Sequence, residues 1–360
     1  MFLYTCRHFY IINMENFFNY TRLDLAKFLK DSFELPKFRA DQLYKWVYAR
    51  GITDFSLMTD IKKETREIFA CTFSFPDLTL ETRLISNDGS RKYLFKLKDD
   101  SLIESVFIKQ EKRNTICVSS QVGCAMGCAF CQTGKLGFKR NLEVSEIIGQ
   151  VRYLLNDAGT FDEEFTNIVF MGMGEPFLNY DNVVKAIKIL NDEYGFAFSQ
   201  RKITVSTCGI IPRIKEFFET EVPASLAVSL NSTTSEQRDV LMPINKKYPL
   251  DELIETLKNV TLKGRRKITL EYVMLKGVND TREDLTRLKK IVSKLKAKVN
   301  LVPYNPGSKE DAFKTPTENV IYEFANTLLN SKITTTIRFS KGKDIGAACG
   351  QLAGNKNKDK

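Results

Sequence analysis

From residue 115 onward, short apolar runs alternate with longer amphipathic ones, and no other feature restricts the fold as tightly. The strand-like runs are "TICVSS", "NIVFM", "KITVST", "SLAVSL", "KITLEYVM", "NLVPY" and "TTTIRF". Between them lie helical patterns such as "VSEIIGQVRYLL", "DNVVKAIKILNDEYG" and "REDLTRLKKIVSKLK". Strands separated by crossover-length helices pair in parallel through right-handed crossovers. Six such units predict an α/β chain built on a partly or fully closed (β/α)6 barrel over residues 113–345. Sites in such barrels are made by the loops that follow the strands. Here those loops hold the cysteines of "QVGCAMGCAFCQTG", then "GMGEP", "STCG", "SLNS" and "PYNPG".

Upstream the period changes. "LDLAKFLK", "RADQLYKWVYARG" and "IKKETREIFA" predict a small helical domain over 15–75, its first helix beginning just after Met14. "RKYLFKL" and "SLIESVFI" about the turn "KDD" predict a β-hairpin linker over 76–112. Residues 1–14 read as a leader, either an artefact of an upstream start or a disordered segment, and 346–360 as a C-terminal loop ending in a basic tail. The opening run is broken by Arg7, His8 and Asn13, and no apolar stretch reaches membrane-spanning length. No signal peptide or anchor is read, and a cytoplasmic chain is expected.

His8 is the only histidine, which removes Ser/His/Asp triads, Cys/His pairs, HExxH zinc sites and imidazole bases together. Chemistry here must run on thiols, carboxylates and a cofactor. The net charge of +10 favours a polyanionic partner, although a Lys-rich composition accounts for it equally well.

Three of the eight cysteines, Cys124, Cys128 and Cys131, fall in one short loop, a spacing that fits a reducing compartment and no secreted disulfide framework. Cys-x3-Cys-x2-Cys can ligate three irons of a [4Fe–4S] cubane and leave the fourth open. A zinc site completed by Cys117 or Cys349 is the competing reading. Structural zinc usually takes paired CxxC knuckles, and one CxxC with an offset cysteine favours the cluster.

CxxxCxxC after the first barrel strand, followed by the Gly-rich "MGMGEP", resembles the radical SAM superfamily. "CVSSQVGCAMGCAFCQTGKLGFKRNLEVSEIIGQV", "FMGMGEPFLN", "LMPIN", "VMLKGVND" and "DIGAACGQL" further resemble its RlmN/Cfr family of RNA adenine methyltransferases, from about residue 15 to 354. The resemblance implies a [4Fe–4S] cluster on Cys124, Cys128 and Cys131, with S-adenosylmethionine (SAM) on its open iron and two SAM molecules used per turnover. It implies a SAM site formed by Gly174, Glu175, Pro176, Ser206, Ser229, Leu230, Asn231 and Asn305. It further implies that Cys349 carries the methyl group, that Cys117 removes the C2 proton and then resolves the adduct through a disulfide, and that Glu104 accepts a proton. The implied partners are 23S rRNA, tRNA with adenosine 37 as target, and a flavodoxin-type electron donor, for a monomer that binds RNA through its helical domain.

Read by themselves, several of these residues have plainer accounts. Glu104 would sit on a solvated strand face, Cys349 would be a small buried apolar residue, and "GMGEP" an ordinary turn. Met171 and Met173 read as packing. The basic residues of "YKWVYARG", with Lys135, Lys139 and Arg140, are candidate phosphate contacts or simply a solvated face. Asn231 stands where many relatives carry histidine. Val122 and Pro176 match methylation at adenine C2, whereas enzymes of the C8 type tend to have Cys and Ala. A cysteine-stapled RNA-binding protein without catalysis is the rival from another class.

Overall fold

The computed structural model describes residues 14–354 apart from 77, 112, 162 and 308–310. Most of the leader, with Cys6 and His8, and the basic tail from residue 355 lie outside the described residues.

Parallel strands covered on both faces read as continuous apolar runs, and "NIVF" at 167–170 is buried at all four positions. Ten strands form the main sheet: Thr79–Ile85 (β1), Arg91–Lys96 (β2), Leu102–Ile108 (β3), Thr115–Cys117 (β4), Asn167–Phe170 (β5), Ile203–Thr207 (β6), Ser225–Ser229 (β7), Ile268–Met274 (β8), Ala297–Pro303 (β9) and Thr335–Ile337 (β10). Their order in the sheet follows the chain, and β1 and β10 are its two edges. Strands β4 to β10 pair in parallel, as the alternation predicts. The barrel is therefore partial, with an open side.

One expectation needs correction. The expected hairpin of Arg91–Lys96 and Leu102–Ile108 is present, but Thr79–Ile85 adds a third antiparallel strand to it, and Leu102–Ile108 pairs with β4, so the linker extends the main sheet. Its "TLETRLI" escaped notice because it is an edge strand with no buried position, so no alternating apolar face marks it.

The helical region also begins later than the periodicity suggests. Glu15–Asn16 pairs in parallel with Phe73–Ser74, Phe17–Asn19 is a 3-10 turn, and the first helix is Arg22–Phe33. Thr21 and Asp24 cap it reciprocally, which satisfies two otherwise unpaired N–H groups. Phe17, Phe18, Tyr44, Tyr48, Phe69 and Phe73 form its aromatic core. This unit docks on the barrel through Arg22, which bonds Asp192 at 2.9 Å, and Arg152, which stacks over Phe18 at 4.3 Å.

After β10 the chain turns back over the antiparallel strands. Ser86 Oγ donates to Asp344 at 2.5 Å, Gly342 N–H to Asp88 at 2.9 Å, and Ala353 N–H to Glu104 at 2.7 Å. The segment that carries Cys349 is thus laid across the open side of the barrel.

Candidate active site

The site is built on the loops after the parallel strands, where a cavity of about 1020 Å³ including its mouth is lined by Cys124, Cys128, Cys131, Glu175 and Cys349. After β4 the chain makes a short antiparallel ribbon, Gln121–Gly123 with Phe138–Asn141, and the cysteine loop lies between its arms. Gly123 has φ +73°, and a Cβ there would lie 1.9 Å from the Gly137 carbonyl oxygen, so only glycine fits. Cys124 N–H then donates to Gly137 O at 2.8 Å, and Cys131 N–H to Cys128 O at 3.0 Å.

The donor set suits an iron–sulfur cluster. Burial pushes the Cys124 thiol up to about 12, with Glu175 and Cys131 adding to the shift, and Cys128 rises for the same first cause. Thiols held this way become thiolates only when a strongly cationic partner displaces their protons. A cubane takes one thiolate per iron.

The Gly-rich loop after β5 is more than an ordinary turn. Gly174 has φ +101°, and a Cβ there would meet Gln121 Cβ at 2.5 Å. That close approach lets Gln121 Oε1 accept the Glu175 N–H at 2.8 Å. The buried Glu175 carboxylate in turn accepts Phe177 N–H at 2.9 Å and Cys208 N–H at 2.7 Å, and desolvation raises its pKa. Pro176 starts the 3-10 turn that follows.

Ser206, Ser229, Asn231 and Asn305 line the same cavity. Asn305 Nδ2 donates to Ser340 Oγ at 2.9 Å, while its Oδ1 is buried without a hydrogen-bond partner. An unpaired buried acceptor is costly, and a donor on a bound molecule relieves it. Two of the expected SAM residues are engaged differently. Leu230 is packed in the core away from the cavity, with its carbonyl accepting from Arg238 Nε at 3.2 Å. Asn231 adopts φ +55°, a conformation asparagine tolerates better than most residues, and its Oδ1 accepts Val273 N–H at 2.9 Å.

Cys349 and Cys117 lie within electrostatic reach of each other at this end of the barrel. Cys117 closes β4 and is buried, and Cys349 lines the cavity; burial pushes the Cys117 thiol up to about 12 with Cys349 adding to the shift, and Arg338 opposes the rise at both thiols. The Cys349 segment is held against the cysteine loop: Gly350 O accepts Gln132 N–H at 2.8 Å and Leu352 O accepts Thr133 Oγ at 2.7 Å. The expectation that Cys349 is a buried apolar residue does not survive this placement.

Glu104 is buried and not on a solvated face. It pairs with Lys92 at 3.1 Å and accepts Ala353 N–H, lining a second cavity with Lys343, Gln351 and Ala353. The structure does not place its carboxylate at the wall that holds the cysteines. The candidate phosphate contacts are also occupied: Lys135 pairs with Asp311, Lys139 with Asp99, and Arg140 with Asp99 and Glu146. Lys45 and Arg50 stack over Tyr194 and Trp46. Met173 is buried packing, and Met171 lies on the cavity wall.

Sequence reasoning passed over Arg238, Glu271 and Arg338. Fully buried Arg238 bonds Cys208 O at 2.6 Å and Ser229 O at 3.2 Å, tying together the loops after β6 and β7. Nothing in its helical context "SEQRDVL" signals burial.

A half-open parallel barrel with a three-cysteine loop after its first parallel strand defines a radical SAM enzyme. The Radical SAM superfamily model matches residues 118–288, and the model for the ribosomal RNA large subunit methyltransferase N-terminal domain matches 15–73. The chain is 48% identical to a dual-specificity RNA methyltransferase RlmN of Geobacter sulfurreducens, over 88% of this chain and 86% of that protein. It is 46% identical to the RlmN of Geotalea uraniireducens, over 94% and 97%. A crystal structure of a radical SAM methyltransferase from Sphaerobacter thermophilus superposes with a TM-score of 0.87 at 37% identity, over 95% of this chain and all of that one. The chain belongs to the RlmN family, and it is a radical SAM RNA methyltransferase that uses a [4Fe–4S] cluster and SAM. The C8-type and non-catalytic readings are not favoured by these likenesses. Among the described residues no helix is long and apolar enough to cross a membrane.

Proposed function

We propose that the chain methylates C2 of an adenine in 23S rRNA and C2 of adenosine 37 in tRNAs, in the cytoplasm, as a monomer supplied with electrons by a flavodoxin-type donor. The observation that carries this reading is that the C-terminal segment brings Cys349 into the cavity lined by the three-cysteine loop. A carbon acid as weak as adenine C2–H gives no purchase to a direct cationic methyl transfer, so the methyl group needs a protein carrier and a radical source.

Cys124, Cys128 and Cys131 would hold the cluster, and the bound cluster with SAM supplies the radical. Gly174, Glu175, Pro176, Ser206, Ser229, Asn231 and Asn305 surround the space for SAM. Glu175 is a carboxylate for an ammonium group, and the unpaired Asn305 Oδ1 is an acceptor for a donor on the bound molecule.

Cys349 would take the methyl group on sulfur from one SAM and carry it to C2 with the help of a second. Cys117 then removes the C2 proton and attacks the Cys349 sulfur, freeing the methylated base and leaving a disulfide that a reductant must reopen. Glu104 is the expected proton acceptor, and its carboxylate is bonded to Lys92 and to the Ala353 N–H. Residues 15–75 would dock the RNA. Val122 and Pro176 support C2 over C8.

The deciding experiment is mass spectrometry of nucleosides from 23S rRNA and tRNA after incubation with reconstituted protein, SAM and reductant. 2-Methyladenosine is expected in both. The 8-methyl isomer, or no methylated adenosine, would overturn the reading.

A further inference from the structure

Glu271 is a carboxylate that the steps above leave unused. It lies in β8, buried, on the wall of the cavity that Cys128, Cys131 and Cys349 also line. Asn300 of β9 and Thr336 of β10 stand beside it in register across the sheet. A carboxylate only accepts hydrogen bonds, so Asn300 must present its amide nitrogen, and Nδ2 donates to Glu271 Oε1 at 3.0 Å. Thr336 Oγ1 donates in turn to Asn300 Oδ1, which fixes the amide from its other side. Among the described residues Glu271 forms no ion pair, and its Oε2 accepts no hydrogen bond. That oxygen is not sealed in the packing and opens on the cavity. Burial pushes the carboxyl up, while Arg338, Asn300 and Lys298 favour its charged form. A buried carboxylate with one oxygen free is costly unless a donor on a bound molecule meets it.

We propose that Glu271 Oε2 reads the 6-amino group of the target adenine, an inference that rests on the chain methylating adenine in RNA. A base must be turned out of its strand before such chemistry, and it is then read by hydrogen bonds to its exposed edge. It enters through the open side of the barrel, which β10 borders, and the tether of Glu271 runs to that edge through Asn300 and Thr336. Glu175, the carboxylate for an ammonium group, stands after β5, three strand positions from β8. The 6-amino group is the one N–H donor of an adenine in a nucleoside. Guanine and hypoxanthine carry a carbonyl oxygen at that position, which a carboxylate oxygen repels. One fixed acceptor therefore separates the two kinds of purine.

The test is competition between two RNA stem–loops that differ only at the target, adenosine or inosine, with methylated nucleosides from the cluster-loaded protein read by mass spectrometry. In Glu271→Gln, Asn300 Nδ2 holds the amide oxygen, so the Nε2 hydrogens face the cavity and suit the 6-oxo group of inosine. The ratio of kcat/KM for adenosine over inosine should fall at least about tenfold from that of the unaltered protein. Affinity for SAM, from equilibrium dialysis, should stay the same. A merely structural role lowers both rates together and leaves the ratio in place, and an unchanged ratio overturns the proposal. Weaker SAM binding with an unchanged ratio also overturns it, by giving the acceptor to the nucleoside of SAM. If Glu271→Gln does not fold, Asn300→Ala decides the matter: the untethered carboxylate should lower the same ratio, and no change overturns the proposal. Failure of the wider reading shows separately, as absence of 2-methyladenosine when the unaltered protein acts on the adenosine RNA.

Discussion

The Glu104 carboxylate accepts the Ala353 N–H at 2.7 Å, so a strand of the antiparallel extension holds the chain four residues beyond the thiol of Cys349. Lys92 reinforces the contact at 3.1 Å and also reaches Gly346 O at 3.5 Å. Both ends of the Cys349 segment are therefore tied to the same pair of strands.

Removing this tie should loosen the segment without unfolding the barrel. Glu104→Ala leaves Lys92 and the Ala353 N–H without their partner, at about 1–3 kcal/mol. Hydrogen exchange at residues 346–353 is expected to quicken in Glu104→Ala and less in Glu104→Gln, which retains an acceptor. Equal protection in all three proteins would show that the tie does not restrain the segment.

The two thiols should fail in different ways. Cys117→Ala is expected to accumulate RNA bound covalently to Cys349, because the step that resolves the adduct is lost. Cys349→Ala should abolish both methylation and the adduct. Denaturing gels of protein with labelled RNA distinguish the outcomes, and free methylated RNA from Cys117→Ala would sink the assignment.

Glycine substitutions separate steric need from conformational preference. Gly174→Ala meets both a φ of +101° and Gln121 Cβ at 2.5 Å, whereas Gly51→Ala meets a φ of +71° in open space. The second should cost roughly 1–2 kcal/mol; the first should cost clearly more and also disturb the Glu175 loop. Urea midpoints measure the difference, and equal losses would mean that the Gln121 contact relaxes freely.

Alkaline pH should weaken the fold through Cys117. Its folded value of about 12 lies above the roughly 8.5 of an unfolded thiol, so the native state binds the proton more tightly. The associated stability is fully present below about pH 8.5 and is lost between there and pH 12. By pH 10 the loss is about 2 kcal/mol. Cys117→Ala should show a shallower fall in stability between pH 7.5 and 10; parallel curves would refute the shift.

The parallel barrel was legible in the residue order because each strand and helix carries its own periodicity, and neighbours in the chain became neighbours in the sheet. The three-cysteine loop was equally legible, its members lying within one turn of chain. Strand β1 was not, since an edge strand with no buried face has no periodic signature.

Local pattern also could not place residues whose partners are remote in sequence. Burial of Glu104 depends on Lys92 and on the returning C-terminal segment, and that of Arg238 on carbonyls from two different loops. Asn231 is held by a left-handed backbone and a bond to Val273. The sequence by itself determined the order of strands, the loop that can ligate a cluster and the family to which the chain belongs. Only the tertiary structure decided that Cys117, Cys349 and Arg338 share one electrostatic environment, because β4, the segment after β10 and the C-terminal loop come together only when the open side of the barrel is covered.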